Sequence, residues 1–398
     1  MAVSGNHASR YQHAMVYFAN SAINRLYAHS ALQGLAENAG GAFVFVYLLR
    51  AGFGVPAVLC TLAALLMFRL GFRQVVVPYA KRWGIRAGMI LGTLLVAISY
   101  VALAFVDTPD FRLAIYMVLA ACGEAFYWAC FHAAMASLGD AHARGAQTSA
   151  IQLVYALTGV VGPLAGGFAL ALLGPKAAFF TAAAVQTLAV WPCRQLPELM
   201  ISPVSKLDGS AARTAAMAYF CDGLLSAGNY FSWSLALFIT LGEKFQAYGL
   251  AQALAALCGA VMALGLGQLI DRGHPKRSAV IGLSCMGLAV IFKAVAYNST
   301  FSAILALAAG AVAGPIYSSA YNARIYNLAK ASGDALRFHV SGEGGWDFGA
   351  AVGALAAASL VQLGFGFSLP IALALLGLAG VGAVIRQSYQ KPEPSLRV

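Results

Sequence analysis

The chain has 398 residues, of which 61% are hydrophobic and only 10% charged, and its formal net charge is +11. Soluble globular chains are about 45–50% apolar and about 25% charged, so this composition argues against a soluble enzyme, a disordered protein or a secreted disulfide scaffold. The basic residues stand singly between apolar runs, with no block of five or more, which argues against a nucleic-acid partner.

Twelve apolar runs are long enough to cross a bilayer as α-helices, which need about 20 residues each. The longest polar gap separates six runs from six. The sequence therefore predicts an all-α polytopic membrane protein with twelve transmembrane helices in two six-helix bundles, 28–193 and 213–386, with a cytoplasmic linker 194–212 and a tail 387–398. The predicted spans are 28–52, 55–80, 87–107, 112–137, 145–173, 176–193, 213–242, 246–270, 278–297, 300–325, 338–364 and 367–386.

The segment 1–27 before the first span is polar but carries apolar residues at helical spacing. Two interpretations stay open: a short amphipathic helix on the inner leaflet, or a cytoplasmic tail. The first long apolar run begins only near Ala31, too late for an ordinary secretory signal. The spaced apolar residues are Tyr11, Met15, Phe18, Ala22 and Leu26.

Charge placement predicts the orientation, because cytoplasmic loops are enriched in lysine and arginine. If the N-terminus is cytoplasmic, 20 of the 25 lysines and arginines lie on the inner side. We therefore expect an integral protein of the plasma membrane, the inner membrane of a bacterium, with both termini cytoplasmic. The five outer charges are Arg50, Arg112, Lys176, Lys244 and Lys293.

An internal repeat relates the two predicted bundles. At an offset of 190 residues, GEAFYWACFHAAMASL (123–138) aligns with AGPIYSSAYNARIYNL (313–328). Near offset 188, GGAFVFVYLL (40–49) resembles GNYFSWSLAL (228–237). The common offset indicates duplication of a six-helix unit, and parallel halves with a substrate path between them are a known transporter architecture.

The loop GQLIDRGHPKR (267–277) resembles the cytoplasmic signature loop of the major facilitator superfamily, a glycine followed by an acid, a basic residue and a basic pair. In the first half, Arg82, Gly84 and Arg86 match that pattern, but Lys81 stands where the acid belongs. The resemblance implies the twelve-helix fold, transport by rocking of two halves, and a gating role for these loops. The matching residues of the second half are Gly267, Asp271, Arg272, Lys276 and Arg277.

The fifth predicted span contains Gly162, Pro163, Gly166 and Gly167, which resemble the core GPxxGG of a signature of superfamily antiporters. The upstream glycine of that signature is replaced by Thr158. The motif therefore has two interpretations: a mark of antiport, or a kinked helix that packs closely against its neighbours.

Five acids fall inside predicted spans, where an ionised side chain costs at least about 2.5–3.5 kcal/mol. The resemblance implies that spans one, four and seven line a central cavity and that span eleven completes its wall. We therefore expect the acids at the cavity, with protons as the coupling ion. They are Glu37, Glu124, Asp222, Glu343 and Asp347.

Depth along the spans predicts partners for some of these acids. Glu37 and Arg69 lie at similar depth, which predicts either a proton-operated switch or a static ion pair. Arg73, one turn further inward, is interpreted as a topology charge. Asp222 has no basic residue at matched depth, which makes it the acid best suited to carry a proton, whereas His132 is either a relay or a packing residue.

Aromatic residues concentrate in the predicted cavity spans, which favours an amphipathic or aromatic organic solute, although each could equally be a packing residue. They are Tyr127, Trp128, Tyr230, Trp233, Tyr317, Tyr321 and Trp346.

The sequence thus predicts a monomeric secondary transporter of a small organic solute, coupled to protons, with export favoured over import. It has no GxxxxGK[ST], HExxH or GxSxG motif and no CxxC pair among its seven cysteines, so we expect no direct use of ATP, no enzymatic activity, no cofactor and no metal site. The alternatives are a proton-driven importer, a membrane-embedded enzyme, and a receptor or assembly factor that does not transport.

Overall fold

The computed structural model describes residues 20–139, 144–200, 207–270, 275–332 and 334–390. These residues form twelve helical rods and no strand, and nine of the described helices are long and apolar enough to cross a membrane. We number the rods α1–α12. They are α1, Ser21–Ala39 and Val44–Arg50; α2, Val55–Trp83; α3, Ile85–Leu103; α4, Phe111–Leu138; α5, Arg144–Leu172; α6, Gly174–Leu188 and Val190–Arg194; α7, Gly209–Ser226 and Trp233–Thr240; α8, Phe245–Ile270; α9, Pro275–Ala296; α10, Thr300–Ala331; α11, Ala335–Gln362; and α12, Ser368–Ala372 and Ala374–Gln390.

The order of the rods is that of the predicted spans, and the largest difference at a rod start is in α1. This helix begins at Ser21, seven residues before the predicted span. The Asn20 side chain caps it by accepting from the backbone N–H groups of Ala22 and Ile23, both at 3.1 Å. Ala22 and Leu26 therefore belong to α1, whereas residues 1–19 of the predicted amphipathic segment lie outside the described residues.

Aspartates in the loops cap the N-termini of three further rods. Asp110 accepts from the backbone N–H of Arg112 at 2.9 Å at the start of α4, and Asp208 accepts from that of Ser210 at 2.9 Å at the start of α7. At the start of α11, Asp334 accepts from the backbone N–H of Arg337 at 3.0 Å. These side chains satisfy N–H groups that have no partner within a helix.

The two halves repeat one packing scheme. In the first half, α1 packs on α5 and α6, and α4 packs on α2 and α3. In the second half, α7 packs on α11 and α12, and α10 packs on α8 and α9. The pairs α3–α6 and α9–α12 complete the correspondence, which agrees with the duplication that the sequence predicts.

The repeat extends to an irregularity in the first helix of each half. A 3-10 turn, Gly41–Phe43, interrupts α1, and a π-helical turn, Ala227–Ser232, interrupts α7. Both fall in the segments that align near offset 188. In α1 the break lies where Gly40 and Gly41 meet Ala182 and Tyr100 so closely that a Cβ on either glycine would collide with them.

Two helix pairs, α2–α11 and α5–α8, make the most extensive contacts between the halves, and α4 also contacts α11. We call the end of the bundle at Ser21 and Gln390 the terminal end, and the other the distal end. In the distal half of α2, Leu62, Ala63 and Leu66 form one apolar cluster with three alanines of α11. Those alanines are Ala350, Ala351 and Ala354, all at most 1% exposed.

Candidate functional site

A cluster of charged side chains lies between the halves, terminal to that apolar contact. Helix α2 places Arg69 and Arg73 four residues apart on the face towards α11, and α11 places Glu343 and Asp347 four residues apart on the face towards α2. Because the two rods are antiparallel, Arg69 lies beside Asp347 and Arg73 reaches both acids. All four residues are within the apolar part of the bundle.

Asp347 is the centre of this inter-half cluster. Its carboxylate accepts from Arg69 Nε at 2.6 Å and from Arg73 Nε at 2.5 Å, and Arg69 NH2 lies 2.5 Å from it. Arg73 NH2 also donates to Glu343 at 3.0 Å. The side chain of Asp347 has no exposed surface, and that of Arg73 is 1% exposed, so these charges compensate each other away from solvent.

Glu124, on α4, extends the inter-half cluster by pairing with Arg69 NH1. Its side chain is 34% exposed, in contrast to 7% for Arg69. The cluster therefore holds two arginines and three carboxylates, and its formal charge is −1 when all are ionised. The Arg69 guanidinium also lies 5.1 Å from the centre of the Trp346 ring.

Two predictions about these charges are wrong. The structure pairs Arg69 with Asp347 and Glu124, and Glu37 has no hydrogen bond or ion pair with any described residue. Arg73 is a buried member of the inter-half cluster and not a topology charge at a helix end. Sequence depth gives the height of a side chain along its helix, but the direction in which the side chain points follows only from how the helices pack.

A pair of histidines adjoins the inter-half cluster. The rings of His132 on α4 and His339 on α11 stack across the halves, with centroids 5.6 Å apart and planes at 23°. His132 Nε2 lies 3.9 Å from Glu343, and the Tyr219 hydroxyl is 3.1 Å from His339 Nδ1. The sequence analysis missed His339, although its spacing of four residues before Glu343 places it on the acidic face of α11.

Asp222, on α7, lies apart from the arginines. The Tyr317 hydroxyl donates to Asp222 Oδ1 at 2.6 Å, and Trp346 Nε1 donates to Oδ2 at 3.2 Å. Both donors are neutral, and among the described residues no cation is within salt-bridge distance of this carboxylate. The prediction that Asp222 has no basic partner therefore agrees with the structure.

Most of the predicted cavity aromatics are buried in helix packing. Tyr230 is 48% exposed, and Trp128 and Trp346 are partly exposed. Trp233 is 2% exposed and packs beneath Lys293, whose Nζ donates to the backbone oxygen of Asn229 at 3.0 Å. Lys293, predicted as an outer charge, is thus inside the second half. The other buried aromatics are Tyr127, Tyr317 and Tyr321.

The motif GPLAGG (162–167) allows α5 to pack closely against helices on two of its sides. A Cβ on Gly162 or Gly166 would collide with the end of the first segment of α1, at Asn38 and Ala39. A Cβ on Gly167 would lie 2.6 Å from the backbone oxygen of Phe245 at the start of α8. A Cβ on Gly249 of α8 would likewise collide with the backbone oxygen of Pro163. The motif therefore joins α5 both to its own half and to the opposite half.

The signature loop of the first half receives its acid from the linker. Glu198, which follows α6, accepts from the backbone N–H and from Nε of Arg86, each at 3.0 Å. Gly84 has φ +87°, and a Cβ there would collide with the Glu198 carboxylate. Arg82 lies 5.2 Å from the Trp83 ring centre. The acid missing at position 81 is thus replaced by one that is distant in sequence.

The loop of the second half is described only in part. Asp271 and Arg272 lie outside the described residues, and Gly267 lies in α8. Lys276 and Arg277 belong to the first turn of α9, where the Lys276 ammonium is 5.9 Å from the Tyr389 ring centre.

Comparison with known proteins agrees with this architecture. A family model described as Major Facilitator Superfamily matches residues 71–206. The matched segment is about a third of the chain, and over it the chain is similar to that superfamily. The nine long apolar helices among the described residues agree with a protein of the membrane.

Solved structures show the same fold over nearly the whole chain. A POT family transporter in complex with 5-aminolevulinic acid has 12% sequence identity and a TM-score of 0.70, with 92% of this chain and 96% of that chain covered. The nucleoside transporter NupG has 13% identity and a TM-score of 0.63, with 93% and 98% covered. A comparison with curated proteins gives no significant match.

Proposed function

We propose that this protein is a secondary transporter of the major facilitator type and not an enzyme, and that it couples transport of a small organic solute to proton movement. The observation that carries the proposal is the composition of the inter-half cluster, in which three carboxylates face two arginines. A carboxylate in excess inside a membrane protein is expensive to keep ionised, so a proton is its natural partner. One proton would bring the cluster to neutrality.

The position of the cluster supports a role in the conformational cycle. Arg69, Arg73 and Glu124 belong to the first half, and Glu343 and Asp347 belong to the second. Rocking of α2 away from α11 would break the salt bridges between them, so the cluster stabilises the state in which they touch. A proton bound to an acid of the cluster weakens that contact and favours the other state.

Asp222 is the acid that we assign to proton carriage. Protonating Asp347 would break salt bridges to two arginines, whereas protonating Asp222 disturbs only hydrogen bonds from a phenol and an indole. Trp346 links the two regions, since its indole donates to Asp222 while its ring lies beside Arg69. A change of protonation at Asp222 can therefore reach the inter-half cluster through one side chain.

Proton flux in proteoliposomes tests the coupling. The purified protein is reconstituted with a pH-sensitive dye in the lumen and given a panel of solutes. The panel includes 5-aminolevulinic acid, which the POT family transporter binds in its complex, and nucleosides, after the nucleoside transporter of similar fold. A transported solute should change the lumenal pH in proportion to its uptake. Solute transport with no proton movement, in vesicles shown to hold a pH gradient, would contradict the proposal.

We further infer a monomeric exporter in the inner membrane of a bacterium, with both termini cytoplasmic. The charge distribution supports the orientation, and the exchange of an entering proton for a leaving solute supports the direction. An impermeant thiol reagent tests the orientation on a background without the exposed Cys60 and Cys258. A cysteine at Glu243 should be labelled from outside and one at Trp83 should not. The reverse pattern would contradict the orientation.

A further inference from the structure

Two adjoining cavities lie on the first half at the distal end. The first, about 380 Å³, lies among the α3–α4 loop, the start of α4 and the turn into α6, and its charged lining residues are Asp107, Arg112 and Lys176. The second, about 310 Å³, is a groove between α3 and α6 whose lining is apolar except for Thr187. No residue of the inter-half cluster lines either cavity.

The cavities meet at one aromatic contact. Phe105 lines the first cavity, Phe180 lines the second, and their ring centroids are 5.9 Å apart. The lining of the groove includes exposed apolar side chains, among them Ile98 at 50% and Val101 at 40% exposure. On a membrane-spanning helix these side chains face acyl chains, so a lipid tail is the natural occupant of the groove.

The polar cavity has a positive and a negative side. Lys176 lies 5.3 Å from the Phe105 ring centre and forms no salt bridge with a described residue. It belongs to the first turn of α6, where Leu173 offers no side-chain cap, so the backbone N–H groups of that turn, except at Pro175, which has none, lack a side-chain acceptor. On the other side, the side chain of Asp107 is 68% exposed beyond its contact with Arg112.

We propose that the two cavities together hold one phospholipid with a primary-amine headgroup. One acyl chain occupies the α3–α6 groove, the phosphate binds Lys176 and the first turn of α6, and the ammonium group binds Asp107. Such a headgroup carries one anionic and one cationic group, which the charges of Lys176 and Asp107 in the lining complement. This site is independent of the transported solute and of the proton coupling.

Competition between two lipids tests the site. Phosphatidylethanolamine and phosphatidylcholine with identical acyl chains share the phosphate, but the three methyl groups of choline prevent hydrogen bonding to Asp107. The full chain, purified in detergent, is equilibrated with equal amounts of both, and the retained lipids are counted by native mass spectrometry. The wild type should retain the ethanolamine lipid about threefold to fivefold over the choline lipid, the discrimination expected of a partly exposed charge pair.

Three variants separate the contributions. Asp107→Asn removes the carboxylate that binds the ammonium group and also the salt bridge to Arg112, and it should bring the retained ratio to about one while Lys176 keeps the total unchanged. Lys176→Gln should lower retention of both lipids. Lys244→Gln is the matched control, since Lys244 is an exposed lysine in the distal turn before α8 that lines neither cavity. Equal retention of the two lipids by the wild type, or a Lys176→Gln variant that behaves like Lys244→Gln, would overturn the proposal.

Discussion

Asp347 and Asp222 are two buried acids of the second half that the protein holds in opposite ways. Asp347 has no exposed side-chain surface and binds two arginines of the other half. Asp222 binds the hydroxyl of Tyr317 and the indole of Trp346, and both of these donors belong to its own half. The first carboxylate is held by charged groups of the opposite half, and the second is held by neutral groups of its own half.

This difference separates two roles, control of the conformational equilibrium and proton coupling. A contact between halves that consists of full charges resists separation, so it controls the equilibrium between states. A carboxylate held by neutral donors within one half can gain or lose a proton without itself breaking a salt bridge between the halves. We therefore assign control of the conformation to the inter-half cluster and proton carriage to Asp222.

Asp347→Asn should give the largest effect on stability. It leaves two buried guanidinium groups short of a counter-charge, and removing one partner of a buried ion pair costs about 3–5 kcal/mol. Asp222→Asn should cost about 1–2 kcal/mol, because the amide oxygen still accepts one of the two hydrogen bonds. Thermal unfolding in detergent checks both variants. Equal losses of stability would remove the distinction between the two acids.

Glu343→Gln should have a smaller effect and sharpen the account of the inter-half cluster. Arg73 keeps its contacts with Asp347, so the loss should be about 1 kcal/mol. The formal charge of the cluster changes from −1 to zero, which should weaken the dependence of its conformational equilibrium on pH. The measurement is the distance between spectroscopic labels on the terminal ends of α2 and α11, followed between about pH 5.5 and 8. An unchanged pH profile would exclude Glu343 as the excess carboxylate.

Glu37→Gln should leave stability nearly unchanged, within about 0.5 kcal/mol, because no described residue pairs with this carboxylate. The sequence-based hypothesis of a Glu37–Arg69 pair predicts instead that Arg69 loses a counter-charge. Unfolding temperatures of Glu37→Gln and Glu124→Gln distinguish these, since Glu124 does pair with Arg69. A loss in Glu37→Gln that exceeded the loss in Glu124→Gln would restore the original pair.

Asp110→Asn should produce the smallest effect, visible only in acid. The Arg112 side chain, which donates to Asp110, lowers the pKa of that carboxyl from its ordinary 3.8 to about 2. The folded state thus binds this proton less readily than the unfolded chain, and the contribution to stability is present above about pH 4 and lost as the pH falls towards 2. Unfolding temperatures of the variant and the wild type should converge over that interval. A constant difference would mean that the charge of Asp110 does not contribute.

The sequence predicts the architecture well because the bilayer imposes simple requirements. Apolar length set the order of the helices, and the repeat near offset 188 marked the matching breaks in α1 and α7. Asp222 was singled out correctly as an acid without a basic partner. Each of these properties is local or periodic in sequence.

The partners of Arg69, Arg73 and Gly84 could not be predicted, because each is set by packing between distant segments. Arg73 binds acids that are 270 and 274 residues further along the chain. Glu198, which supplies the acid of the first-half loop, carries no motif of its own and lies beyond the last helix of that half. Apolar length and spacing do not determine how a helix is rotated about its axis, and that rotation selects the partner.

Paired transport assays of Asp222→Asn test the central claim most directly. Proteoliposomes with the variant are assayed for uphill accumulation under an imposed pH gradient and for exchange of labelled against unlabelled solute. Accumulation should be lost and exchange retained, because exchange needs no net proton movement. Tyr317→Phe, which removes one donor and leaves the carboxyl in place, should retain both activities. Uphill transport by Asp222→Asn at the wild-type rate would show that Asp222 is a structural acid and that the proton is carried elsewhere.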